Sequence, residues 1–288
     1  MKQQKIYSSI VLPIVLAVLF LFASPSLFLP KSKSTSTTKR IPAATARIST
    51  VAMPSSAEQP ISLPESKAPG LLADMKSDLA VIITHPWGPL GGNMHNNVVL
   101  AAALFFQKLK ITTLRFDFVG WQLSRGTYQK QQVEEAAQFL LQQGENPPKH
   151  ILLVGYSYGS LLSASASADI PQCIAQVSIA PPFSVKHWLL LFNSNYHLEQ
   201  AKAREKLPRL YIIGDHDNFT SEAAFLQTVD TFPKATTTGA VISNADHFYN
   251  RRESEVMNVI SEWLLKTFPK CQGDLKQLAK SKVYSSSS

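Results

Sequence analysis

The chain has 288 residues and a formal net charge of +8, but the charge sits at its ends. Residues 1–57 hold seven Lys or Arg and no acid, residues 58–265 hold 16 bases against 19 acids, and the tail from Lys266 holds five bases and one acid. A mildly acidic middle of this length suits one well-buried domain and argues against both a second ordinary domain and a nucleic-acid-binding face. Its two cysteines, Cys173 and Cys271, exclude a disulfide scaffold and lack the spacing of a zinc site.

At the head, Lys2 and Lys5 precede an almost unbroken apolar run, Ile10 to Phe22, which continues weakly to Leu29. The run is shorter than the roughly 20 residues of a spanning helix and Pro13 and Pro25 interrupt it, so residues 1–29 read as a signal peptide or signal anchor. From Lys31 to Ala57 the chain is basic, free of acids and rich in Ser, Thr, Ala and Pro, the composition of a transit peptide or a disordered stalk, and residues 30–69 are assigned to it. The combination resembles the two-part plastid presequence of algae with secondary plastids. It predicts passage into the secretory route, ending in a plastid, at a membrane or outside the cell, and the apolar segment offers a means of membrane association. The folded body is expected to begin near Gly70.

From there strands and helices alternate. Strands are predicted at Leu79–Thr84, Thr112–Phe118, His150–Tyr156, Ala175–Ala180, Arg209–Ile213 and Thr238–Ile242. Helices are predicted at Asn97–Lys108, Gln131–Gln143, Ser160–Ala168, Ser221–Thr231 and Glu253–Thr267. Strict alternation implies a mostly parallel sheet of about six or more strands with helices on both faces, because parallel strands need crossovers. The domain is bounded at residues 70–268, with 269–288 left as a basic, Ser-rich tail. Between Pro182 and Pro208 the connection exceeds one helix. Its run Trp188-Leu189-Leu190-Leu191-Phe192 reads either as a short lid with an apolar wall or as a core-facing helix.

One strand ends in Gly155-Tyr156-Ser157-Tyr158-Gly159 and passes directly into a small-residue helix. A serine at the apex of such a turn is exposed beside backbone donors, and the glycines leave room for the crossing chain. A carboxylate at the end of a later strand (Gly214-Asp215-His216-Asp217) and a histidine after the last one (Asp246-His247) follow in the order serine, acid, histidine. Ser157 is thus the candidate nucleophile and His247 the candidate base, since only His247 of the seven histidines follows a strand in the last sheet position. His85 and His95 read as structural hydrogen-bonding groups, and Asp246 as a turn residue.

At these residues the chain resembles the α/β-hydrolase superfamily. The stretch Thr84-His85-Pro86-Trp87-Gly88-Pro89-Leu90-Gly91-Gly92-Asn93-Met94-His95-Asn96-Asn97-Val98-Val99 narrows the likeness. It looks like the His-Pro, Gly-Gly, His-Asn signature of a compact hydrolase group distantly similar to Xaa-Pro dipeptidyl-peptidase and acyl-peptidase domains. Leu114 to Phe118 and Asn244 to Phe248 match the same group. The resemblance implies Asp217 rather than Asp215 as the acid, three residues after the glycine. One departure is visible: the group continues its second strand with an arginine and a glycine pair, where this chain has Val119-Gly120-Trp121-Gln122.

The oxyanion donors expected are the amides of Tyr158 and Trp87, because Pro86 has no N–H. Tyr156, Trp121, Trp188 and Phe192 are expected around the substrate. The function implied is a serine hydrolase, a carboxylic ester hydrolase first, acting on a small ester, thioester or activated amide with no metal or organic cofactor. The alternatives are an Xaa-Pro or acyl-peptide type peptidase and a non-catalytic binding or scaffolding module. Neither oligomeric state nor pairing of Cys173 with Cys271 follows from the sequence.

Overall fold

The computed structural model describes residues 58–120 and 124–284, together with the backbone of a short strand, β1 (Lys39–Ile41). The apolar head and most of the basic leader lie outside the described residues. Among the described residues, no helix is long and apolar enough to cross a membrane.

The remaining strands are β2 (Gln59–Ser62), β3 (Pro69–Ala73), β4 (Leu79–Thr84), β5 (Thr112–Phe116), β6 (His150–Tyr156), β7 (Cys173–Ile179), β8 (Arg209–Gly214) and β9 (Thr237–Ile242). They form one sheet in the order β1-β9-β8-β7-β6-β4-β5-β3-β2. Pairing is antiparallel for β2 with β3 and β3 with β5, and parallel elsewhere. All six residues of β4 are buried, as expected of a central strand covered on both faces.

The helices are α1 (Asn97–Lys108), α2 (Thr127–Leu141), α3 (Tyr158–Ala166), α4 (Lys186–Leu189), α5 (Ser194–Lys202), α6 (Glu222–Val229) and α7 (Glu253–Thr267). On one face, Val98, Val99, Ala102, Ala103 and Phe106 of α1 join Val256, Ile260 and Leu264 of α7 over Leu79, Val81 and Ile83. On the other, Val133, Ala136 and Leu140 of α2 join Leu161 and Leu162 of α3 and Phe225 of α6 over Ala80 and Ile82. The strand alternation therefore feeds two cores.

Two boundaries differ from expectation. The folded body starts before Gly70: β2 and β3 form a hairpin on the sheet edge, with Leu63 and Ala68 fully buried in its turn. Glu58 gives both carboxylate oxygens to the buried Arg115 of β5, at 2.9 and 2.6 Å. The carboxylate of Glu135 on α2 accepts the amides of Glu65 and Ser66 in that turn. At the other end, the residues after α7 belong to the fold as far as Tyr284. Cys271, Leu275, Leu278 and Val283 are buried at a spacing of three to five residues, and Asp78 ties to this segment through Ala279 and Ser281.

The sheet order also decides where a site can form. The chain leaves β4, pairs β5 on one side, then crosses to pair β6 on the other. The connections after β4 and β6 thus diverge to opposite faces and open a crevice beyond their carboxyl ends. The loop carrying Trp87 and the turn carrying Ser157 both lie there.

Candidate active site

Ser157 sits between β6 and α3 with φ 54° and ψ −122°, a positive φ that is strained for a residue with a Cβ. Close packing holds it there. A Cβ on Gly155 would lie 2.5 Å from Ser160 Cα, and one on Gly159 would lie 2.6 Å from both the His85 carbonyl and Thr84 Oγ1. The Ser157 amide donates to Ile179 of β7 and the Gly159 amide to His85 O, so the turn is anchored on β7 and on the loop after β4.

His247, in the loop after β9, places Nε2 2.9 Å from Ser157 Oγ and Nδ1 2.7 Å from Asp217 Oδ2. A carboxylate only accepts, so the proton on the imidazole belongs on Nδ1, which leaves the Nε2 lone pair facing the serine hydroxyl. The other Asp217 oxygen accepts the amides of Phe219 and Thr220 at 2.7 and 3.0 Å, which fixes the carboxylate plane. All three residues are buried.

The choice between the two aspartates is visible in their partners. Asp215 accepts the Asn244 amide at 2.6 Å and joins the β8 and β9 loops. Asp246 accepts the amides of Phe248 and Tyr249, a turn role. Gly214 is required where the loops cross, since a Cβ there would lie 2.0 Å from the Ala245 carbonyl oxygen.

Of the expected pocket residues, Tyr156 is buried and holds a loop instead, its hydroxyl donating to the His247 carbonyl at 2.9 Å. Tyr158 is buried too, its ring edge-on to Phe118. Trp121 lies outside the described residues. Trp188 and Phe192 are 56% and 74% exposed with ring centroids 6.0 Å apart, whereas Leu190 between them is buried. The lid segment thus divides residue by residue. α4 and the turn after it present the exposed Trp188 and Phe192, while α5 packs on α3, where its buried His197 meets Ser165 Oγ at 2.9 Å and the Arg125 carbonyl at 3.0 Å.

The residues after β5 are held from α2. Gln132 accepts the Val119 amide at 3.0 Å and donates to the Val119 carbonyl at 2.9 Å; Gln129 donates to the Gly120 carbonyl at 2.9 Å. These two buried amides pin the loop, and neither stands out in the sequence. Phe219 is likewise inconspicuous there, yet its ring lies 4.4 Å from the His247 ring. Only its position two residues after Asp217 hints at this. The upstream motif is held by Arg115, which donates to Met94 O at 2.8 Å, and by Asp117, which accepts the Met94 amide at 2.6 Å.

No protein-family model matches the chain. An uncharacterized protein of Rickettsia prowazekii is 26% identical over 212 residues, 70% of this chain and 86% of that protein. Among solved structures, an alpha-beta serine hydrolase homologue from Coxiella burnetii is similar at TM-score 0.58 and 21% identity, over 73% of this chain and 98% of its own. A serine hydrolase without lid from Xanthomonas campestris gives 0.57 and 21%, over 75% and 97%. An esterase of Pyrococcus furiosus gives 0.59 and 17%, over 73% and 91%. The chain has the α/β-hydrolase fold.

Proposed function

We propose that the protein is a serine hydrolase that cleaves an ester, thioester or activated amide of a small acyl substrate through an acyl-enzyme. The observation that carries this is the unbroken Asp217–His247–Ser157 chain, with contacts of 2.7 and 2.9 Å. Ser157 Oγ attacks the acyl carbonyl while His247 Nε2 takes its proton, and the imidazolium returns that proton to the leaving group. Asp217 holds the ring and offsets its charge. The amides of Tyr158 and Trp87 receive the oxyanion, and a water activated by His247 then releases the acid. An ester is the first substrate to test, since the similar Pyrococcus furiosus protein is described as an esterase.

The targeting of residues 1–57, into the secretory route and on to a plastid or a membrane, rests on composition and belongs to the same proposal. A cleavage that keeps β1 in the sheet falls before Lys39, and one that keeps only the Glu58 partner of Arg115 falls before Glu58.

The test is reaction with a fluorophosphonate probe and hydrolysis of p-nitrophenyl acetate by protein that retains Glu58. Both are expected in the wild type and lost in Ser157→Ala. Labelling retained in that variant would place the nucleophile elsewhere, and a folded wild type without labelling would favour the binding-module alternative.

A further inference from the structure

The buried imidazole of His85 sits in the loop that follows β4, in contact with two backbone groups. Its Nε2 is 2.8 Å from the Phe118 amide nitrogen and its Nδ1 is 2.6 Å from the Pro86 carbonyl oxygen. The Phe118 N–H can only donate, so Nε2 is the lone-pair nitrogen. The ring proton is therefore on Nδ1, where it donates to Pro86 O. One neutral tautomer satisfies both contacts. Burial pushes the imidazole pKa down to about 4, outweighing the nearby Asp117 carboxylate at 3.9 Å, so the ring stays in that neutral form near pH 7.

The Pro86 carbonyl and the Trp87 N–H are the two ends of one peptide group. That group is planar and trans, so the bonds point in opposite directions, and holding the oxygen aims the N–H. The surrounding loop resists rotation. The Trp87 carbonyl accepts the Leu90 and Gly92 amides, each at 3.1 Å, and Gly92 packs so tightly that a Cβ there would lie 2.2 Å from Pro86 O. Among the described residues, no acceptor meets the Trp87 N–H. The His85 carbonyl meanwhile accepts the Gly159 amide at 3.1 Å, so one residue touches both the loop and the turn that carries Ser157.

We infer that His85 is the positioning residue of the oxyanion site, its Nδ1–H fixing the Pro86–Trp87 peptide so that the Trp87 N–H points at the reacting oxygen. This rests on the serine-hydrolase reading above. His85 exchanges no proton with substrate; it acts through the peptide that it holds.

Two variants separate its two contacts, because an asparagine amide takes the place of Nδ1 and a glutamine amide that of Nε2. His85→Asn keeps a donor toward Pro86 O, and His85→Gln keeps only a partner for the Phe118 amide. Turnover of p-nitrophenyl acetate is expected to fall about 10²-fold in His85→Gln and in His85→Ala, with KM little changed, the scale of losing one oxyanion donor. His85→Asn should stay within roughly threefold of wild type, well short of that loss. Affinity for an alkyl boronic acid, whose boron accepts Ser157 Oγ to give a tetrahedral anion, should weaken in the same order. Gly92→Ala, which displaces the Pro86 carbonyl with His85 intact, should also lower kcat rather than raise KM.

Turnover that follows melting temperature instead of the Pro86 donor, or full turnover in His85→Gln or Gly92→Ala, overturns the inference while leaving the serine-hydrolase reading intact. A wild type that neither reacts with fluorophosphonate nor turns over ester overturns that reading and this inference with it.

Discussion

The Tyr156 hydroxyl donates to the His247 carbonyl at 2.9 Å, and its ring lies over the imidazole with centroids 5.9 Å apart and planes inclined by 29°. The residue immediately before Ser157 thus holds the loop that carries His247. Two further contacts share that work: Asn97 donates to the Phe248 carbonyl at 2.9 Å, and Asp246 closes the turn. Tyr156→Phe removes one buried donor and leaves a carbonyl unpaired, so it should cost about 1–3 kcal/mol in a urea titration. Ester turnover should fall with it. A stability loss with unchanged turnover would mean that Asn97 and Asp246 position the loop unaided.

Asp217→Asn should lower turnover by about 10²- to 10⁴-fold, because an amide nitrogen facing Nδ1 favours the wrong imidazole tautomer. Asp215→Asn should cost far less, since that carboxylate holds only the Asn244 amide. Kinetics on the two variants side by side decide between them, and the reverse order would move the acid to Asp215.

The lid segment predicts opposite outcomes for neighbouring residues. Trp188→Ala and Phe192→Ala remove exposed rings and should leave stability within about 0.5 kcal/mol of wild type. They should weaken turnover of long acyl esters more than of acetate. Leu190→Ala opens a cavity in the core and should cost about 2–5 kcal/mol. Equal losses of acetate and long-chain turnover in the aromatic variants would remove these rings from the acyl path.

Stability should depend on His85 in a defined pH window. The folded imidazole titrates at about 4 against an ordinary value of 6.5, with Asp117 facing it. Between those values the unfolded chain binds a proton that the folded chain does not, so the contribution is complete above pH 6.5 and is lost as pH falls to about 4. Urea titrations at pH 7 and pH 4.5 should show a smaller acid loss in His85→Asn than in wild type. An equal loss in the two would assign the slope to other groups.

Local pattern alone made much of this protein legible. Runs such as Leu79 to Thr84 and His150 to Tyr156, each followed by a helical period, specified strands whose both faces would be buried, and the two core clusters follow from their alternation. The same pattern put Ser157, Asp217 and His247 just beyond strand ends, where a parallel sheet gathers its loops. The β2–β3 hairpin was hidden because Pro60, Pro64 and Pro69 and the polar residues among them read as linker. It is an edge element, and edge strands tolerate proline. Its stability comes from partners far along the chain: Glu135 for the turn and Arg115 for Glu58. Gln129, Gln132 and Tyr156 were likewise ordinary residues on predicted elements until the strand order brought them to the loops they hold. Sequence periodicity encodes which face of an element is buried. Which polar group on that face meets which backbone amide depends on strand order and loop geometry, so the partners of His85 and Gln132 were decided only by the tertiary structure.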